Sequence, residues 1–149
     1  MKKYIKDMLK SFTCGALIGS VCWCFAINAT GASAQGTPTR DTVNGVSFTM
    51  QNSISTGNNS ANAYTFNAAS QSCGYGYMAV RPVLYSADGF VESDGDWHYS
   101  SGGSSGISAY ANITYNSSDY YYSWGYARVW NGSDYNEYRP DRTPNVRFE

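Results

Sequence analysis

Lysine is missing from all but the first ten residues of this 149-residue chain, where it occupies positions 2, 3, 6 and 10. From residue 35 onward six arginines stand against ten acidic residues, a formal charge of 6 − 10 = −4. Phosphate backbones and anionic lipid surfaces are held by clustered positive charge, so this balance argues against a nucleic-acid partner. Cysteine is nearly as scarce. Cys14, Cys22 and Cys24 lie in the N-terminal region and Cys73 stands alone in the remainder. One thiol cannot build an internal disulfide framework, so stability must come from burial, or Cys73 must pair with another chain; a small buried side chain is the simpler reading. Histidine occurs once, at His98. No H-E-x-x-H, G-x-S-x-G or phosphate-cradling glycine loop is present. Apolar runs are short after residue 29, and no stretch beyond it repeats with a helical period.

What the N-terminus does have is four lysines ahead of an uncharged run, 12–29, followed by Ala32-Ser33-Ala34. A basic region, an apolar core and small residues at a cleavage point form a secretory signal peptide, predicted over 1–34. Gly15, Gly19 and Asn28 interrupt the run, which disfavours a retained anchor, and the mature chain is not expected to insert in a membrane. Residues before Cys22 and Cys24 are Val21 and Trp23, too large for a lipoprotein site.

The remaining 115 or so residues suit one domain. Residues 35–42 read as a polar leader. Alternation predicts a strand at 43–51, with Val46, Phe48 and Met50 on one face, and Asn44-Gly45 bending its start. Residues 52–62, rich in Ser, Asn and Gly, read as an exposed loop, and 63–67 as a short strand. Residues 75–85 put Tyr75, Tyr77, Ala79, Arg81, Val83 and Tyr85 on one face and Met78, Val80, Pro82 and Leu84 on the other; Pro82 makes this an edge or bent strand. Asp88-Gly89 and Asp94-Gly95 bracket a short strand in a meander. Residues 107–116 alternate again, with Ile107, Ala109, Ala111 and Ile113 as a low apolar face. The fold class is all-β: a single antiparallel sandwich of about seven to eight strands over 43–139, with an extended tail at 140–149 that carries Val146 and Phe148.

The most unusual stretch is 119–130, DYYYSWGYARVW, where Tyr120, Tyr122, Trp124, Tyr126, Arg128 and Trp130 share one face of an extended strand. Sequence order places it between 107–116 and 135–139. Nine of the fourteen tyrosines fall between Tyr99 and Tyr138. Tyr and Trp combine large flat area with a polar tip and little entropy cost, which suits stacking on sugar rings. The tall aromatic face is either the inner face of the sandwich or a binding surface. Packing over the low face of 107–116 favours burial of its middle, and so the candidate ligand residues are Tyr120, Tyr121, Tyr122, Tyr126, Tyr135 and Tyr138.

Other clusters speak less clearly. Asp88, Glu92, Asp94 and Asp96, with His98 behind, offer oxygen ligands of the kind calcium takes, but Asp-Gly pairs are what hairpin turns require, and plain turns are expected. Cys73 with His98 as a nucleophile pair, or a carboxylate pair such as Glu92 with Asp96, is geometrically possible, and neither carries a motif. Asn58, Asn112, Asn116 and Asn131 begin N-glycosylation patterns that composition alone accounts for. No cofactor, metal or enzymatic activity is expected. The sequence therefore reads as a small secreted, extracellular β-sandwich that binds a carbohydrate or cell-envelope polymer. The alternatives are a bacteriocin-like antagonist acting on a competitor's envelope and a structural subunit joined through Cys73 or an edge strand.

Overall fold

A computed structural model describes residues 31–57, 59–114 and 119–148. Residues 1–30 of the predicted signal peptide, and residues 115–116 of the strand expected over 107–116, lie outside the described residues. The chain is all-β, with antiparallel pairing throughout: β1 (Ser33–Gln35), β2 (Thr39–Val43), β3 (Val46–Gly57), β4 (Ser60–Cys73), β5 (Met78–Arg81), β6 (Val83–Ser86), β7 (Val91–Asp94), β8 (His98–Tyr99), β9 (Ser104–Thr114), β10 (Tyr120–Ser123), β11 (Tyr126–Trp130), β12 (Tyr135–Tyr138) and β13 (Val146–Arg147). Among the described residues no helix is long and apolar enough to cross a membrane.

One layer is the sheet β3-β4-β9, with β1 and β2 end to end along the free side of β3. Part of the leader is therefore strand: Thr39–Val43 pairs with Val46–Met50 across Asn44-Gly45, both at positive φ. Asn-Gly at two left-handed positions is the two-residue turn whose twist matches a hairpin, so the pair joins two strands and does more than bend one. The expected loop at 52–62 is instead the middle of a long hairpin. Ile54, Thr56, Ala61 and Ala63 continue the inward alternation of β3 and β4, whose pairing runs out to Gly57 with Ser60.

The other layer holds β12-β11-β5-β8 and β13-β10-β6-β7. These are two halves of one bent sheet. Tyr126 pairs with Arg81 and Tyr122 with Tyr85, the same alignment on both sides of the break, and Trp124 N donates to Val83 O at 3.1 Å across it. The break falls at Pro82, which has no N–H to give, and at Gly125 opposite. Pro82 is thus a bend within an inner strand, not an edge residue, and its carbonyl accepts from Gly95 N at 2.9 Å. The aromatic stretch is consequently two strands.

Its neighbours differ from the order the sequence suggested. β10 and β11 lie between β6/β5 and β13/β12, whereas β9 pairs with β4 in the opposite layer. The low face of β9 does meet the aromatic strands, but across the sandwich and on their small side: Ile107 and Ala109 pack in one cluster with Val46, Phe48, Met50, Val80, Ala127 and Val129. A second cluster joins Ile54, Ala61, Ala63, Leu84, Tyr121, Val146 and Phe148, so the tail closes the far end of the core. Cys73 is a buried free thiol in the first cluster, and burial pushes its pKa up.

Between the two apolar clusters runs a buried polar waist. Asn52 Oδ1 accepts from Thr65 Oγ1 at 2.8 Å and from Gly125 N at 3.1 Å, while its Nδ2 donates to Pro140 O at 3.0 Å and Asp141 O at 3.3 Å. Ser123 N donates to Thr143 Oγ1 at 2.9 Å, and Thr143 N to Ser123 O at 3.0 Å. A Cβ on Gly125 would lie 2.0 Å from Thr65 Oγ1 and 2.5 Å from Arg81 O, so only glycine fits the bend.

Candidate functional site

The inward positions of β10 and β11 are taken by Tyr121, Ser123, Ala127 and Val129, all buried. Alternation then forces Tyr122, Trp124, Tyr126, Arg128 and Trp130 outward. The tall face is the outer surface of the second layer, and it is covered by arginine. The Arg139 guanidinium lies 3.3 Å from the ring centre of Trp124 and 4.6 Å from that of Tyr126. Arg142 lies 4.6 Å from the Tyr122 ring, and Arg128 3.9 Å from Trp97. Tyr85 stacks on Tyr122 with centroids 5.1 Å apart and planes within 6°. Cations over aromatic faces are attracted by the ring quadrupole while their stems cover apolar area, which is how so many large rings are tolerated outside a core.

Two arginines of this layer are ion-paired, Arg81 with Asp94 and Arg128 with Glu137. The bond to Asp94 is the chief cause that raises the Arg81 pKa. Arg139 and Arg142 form no such pair among the described residues. Arg139 donates one hydrogen bond, Nη2 to Tyr85 OH at 2.8 Å.

Arg139 and Arg142 belong to the segment that joins β12 to β13. It passes beside Trp124 and faces the start of the chain, leaving an open groove of about 500 Å³ lined by Gln35, Gly36, Thr37, Trp124, Arg139, Asp141, Arg142, Thr143 and Pro144. Both walls hang from Asn52. Its side-chain amide holds Pro140 and Asp141, and its carbonyl accepts from Gly36 N at 2.9 Å, with Gln51 Nε2 on Gly36 O at 2.7 Å. Gly36 must be glycine, since a Cβ there would lie 2.2 Å from Asp141 O.

The candidate residues named from the sequence scatter over this architecture. Tyr120 is about half exposed at the start of β10. Tyr121 points into the core, edge-on to Phe148 at 6.2 Å, and is removed from ligand reach. Tyr122 faces outward but is buried beneath Arg142 and beside Tyr85. Tyr126 is half-buried next to Trp124, under Arg139. Tyr135 sits farther along, against Trp130 and Tyr99, and donates to Gly76 O at 2.6 Å. Tyr138 lies on the inward side of the edge strand β12, packed on the first cluster, and donates to Asp41 Oδ2 at 2.6 Å. That bond is the main reason the Asp41 carboxyl sits below its ordinary value. Of the six, Tyr122 and Tyr126 alone adjoin the groove floor.

Sequence reasoning missed Trp124, Arg139, Arg142 and Asn52. Trp124 fell in the middle of the stretch, where burial was expected, because arginines elsewhere in the chain that could cover it do not enter a reading of alternation. Arg139 ended the strand expected at 135–139, Arg142 lay in the proline-containing tail, and Asn52 opened an apparent loop. The acidic stretch serves as turns and pairing: Gly89 N donates to Ser86 O at 2.9 Å, Asp94 holds Arg81, and among the described residues no three His, Cys, Asp or Glu side chains converge on one point. Compared with known protein families and with curated proteins, the chain matches none of either.

Proposed function

We propose that the chain is an exported β-sandwich that works by binding an extracellular glycan or cell-envelope polymer, without a catalytic step, on the outer face of its second layer. The observation that carries this reading is the open groove lined by Trp124, Arg139 and Arg142, with Arg139 lying over Trp124. A sugar ring offers C–H faces that stack on an indole or phenol and hydroxyls that need fixed donors and acceptors. Gln35, Thr37, Asp141 and the two guanidiniums ring the same groove. Bent backbone at Pro82 and Gly125, tied down through Asn52, makes the floor rigid, so little ordering cost falls on binding.

Retention of the purified protein on immobilised envelope polymers tests the reading. Trp124→Ala is expected to lower retention at least tenfold while the melting temperature moves by a few degrees. Unaltered retention in a folded Trp124→Ala variant would contradict it.

A further inference from the structure

A binding face rich in tyrosine says nothing of charge, but the disposition of the arginines does. The described part of the molecule holds both arginines paired to carboxylates and two, Arg139 and Arg142, that reach the same groove with none. In a chain with an excess of acidic residues, leaving two neighbouring guanidiniums without a carboxylate is a local choice against the general balance. Asp141 stands between them in sequence and lines the groove, yet forms an ion pair with neither.

Geometry adds to the charge. A guanidinium lying over an aromatic ring can still meet a planar or tetrahedral oxyanion through N–H groups at its edge. Arg139 is fixed in such a position by Trp124 at 3.3 Å and by its bond to Tyr85 OH, which uses one of five donors. Arg142 is held over Tyr122 at 4.6 Å. Their backbone is fixed as well: Pro140 O and Asp141 O by Asn52, and Thr143 by its two bonds with Ser123. Both cations are thus oriented before any ligand arrives, and the entropy that a long flexible side chain ordinarily loses on binding is already spent in folding.

Resting on the glycan-binding reading, we propose that this groove is an acid-recognition subsite: Arg139 and Arg142 together take the oxyanion of an acidic polymer repeat, a carboxylate or a phosphate, while the part of Trp124 left open to the groove takes the adjoining ring. The molecule's net negative charge repels a polyanion at a distance, but that repulsion is screened over about 8 Å at physiological ionic strength. Recognition is therefore a contact effect, made by the two arginines at close range.

The test is equilibrium binding of the full chain to three polymers: polygalacturonate, which carries carboxylates, poly(glycerol phosphate), which carries phosphodiesters, and dextran, which is neutral. Binding to one or both acidic polymers at least tenfold tighter than to dextran is expected, and which of the two is preferred identifies the oxyanion. Arg142→Gln, which keeps the stem over Tyr122 and removes the charge, is expected to lose about tenfold on the acidic polymer with its melting temperature held within a few degrees. Arg142→Lys restores charge but not the planar fork and is expected to fall between the two. Equal affinity for dextran and the acidic polymers, or full affinity in folded Arg142→Gln, overturns the subsite and leaves the glycan reading standing. Failure to bind any of the three overturns both.

Discussion

Asn52 carries more of this structure than any other single residue. Its side chain and carbonyl together fix the Gly125 bend, the C-terminal segment and the start of the chain, all from a fully buried position. Removing a buried amide strands every partner it served, and each lost bond of this kind costs about 1–2 kcal/mol. Asn52→Ala is accordingly expected to lower unfolding stability by about 3 kcal/mol or more, measured by urea denaturation, and Asn52→Asp to be little better because it cannot donate to Pro140 and Asp141. A loss under about 1 kcal/mol would show that the waist is not the frame of the groove. Nothing in the sequence marked Asn52, because a polar residue on an inward position looks like the end of a strand when its partners lie 13 to 89 residues away. Gly125 was equally silent: a glycine inside a strand pattern announces a close approach only once the approaching backbone is known.

Three tyrosines report on the alkaline side. Burial is the first cause that raises the pKa of Tyr85, Tyr135 and Tyr138, opposed at Tyr85 by the Arg139 cation and reinforced at Tyr138 by its bond to Asp41. In each the folded chain holds the phenolic proton more tightly than the unfolded chain does. Their contribution to stability is thus fully present below the unfolded tyrosine value near 10 and is lost as pH rises through the folded values. A spectrophotometric titration is expected to show part of the phenolate signal emerging above pH 10, merging with the ordinary phase in urea. A single phase in the folded protein would contradict the packing around Tyr85 and Tyr138.

At the level of elements, strand existence was largely legible and strand partnership was not. The alternation of 75–85 and of 119–130 separated two faces in each, but burial of the tall middle of 119–130 was the expectation, and the buried side is the small one, with Ser123, Ala127 and Val129. Period-2 patterns, however, carry no information on which strand lies alongside, and the nearest strand in sequence, β9, turned out to belong to the opposite layer. Hydrophobic patterning also lost the 52–62 hairpin, where Ser, Asn and Thr occupy strand positions under the leader. That leader has an energetic role. β1 pairs Ser33, Ala34 and Gln35 with Ser55, Ile54 and Ser53, and Thr56 N donates to Ala32 O at 2.9 Å. A chain starting at Gln35, as cleavage after Ala34 would leave it, loses most of this pairing and bares the upper edge of β3. Compared with a chain starting at Gly31, it is expected to melt several degrees lower and to exchange the Thr56 amide faster. Identical melting of the two would show that β1 contributes nothing.

Over the whole molecule, the bent second layer separates two tasks. Small and aliphatic residues of β5, β6, β10 and β11 face the core, while their large partners, roofed by arginine, face out. On the question that the sequence left open, whether the aromatic face is core or surface, what covers it among the described residues is the side chains of Arg139 and Arg142 and no second sheet. The opposite outer surface also has an exposed ring, Tyr110, with the half-buried Tyr64 beside it. The central claim is that ligand meets the second layer. Backbone amide chemical-shift mapping during titration with the tightest-binding polymer tests it most directly. Shifts confined to residues 35–37, 122–126 and 139–144 are the predicted result; shifts centred on Tyr64 and Tyr110 with the groove unmoved would contradict it.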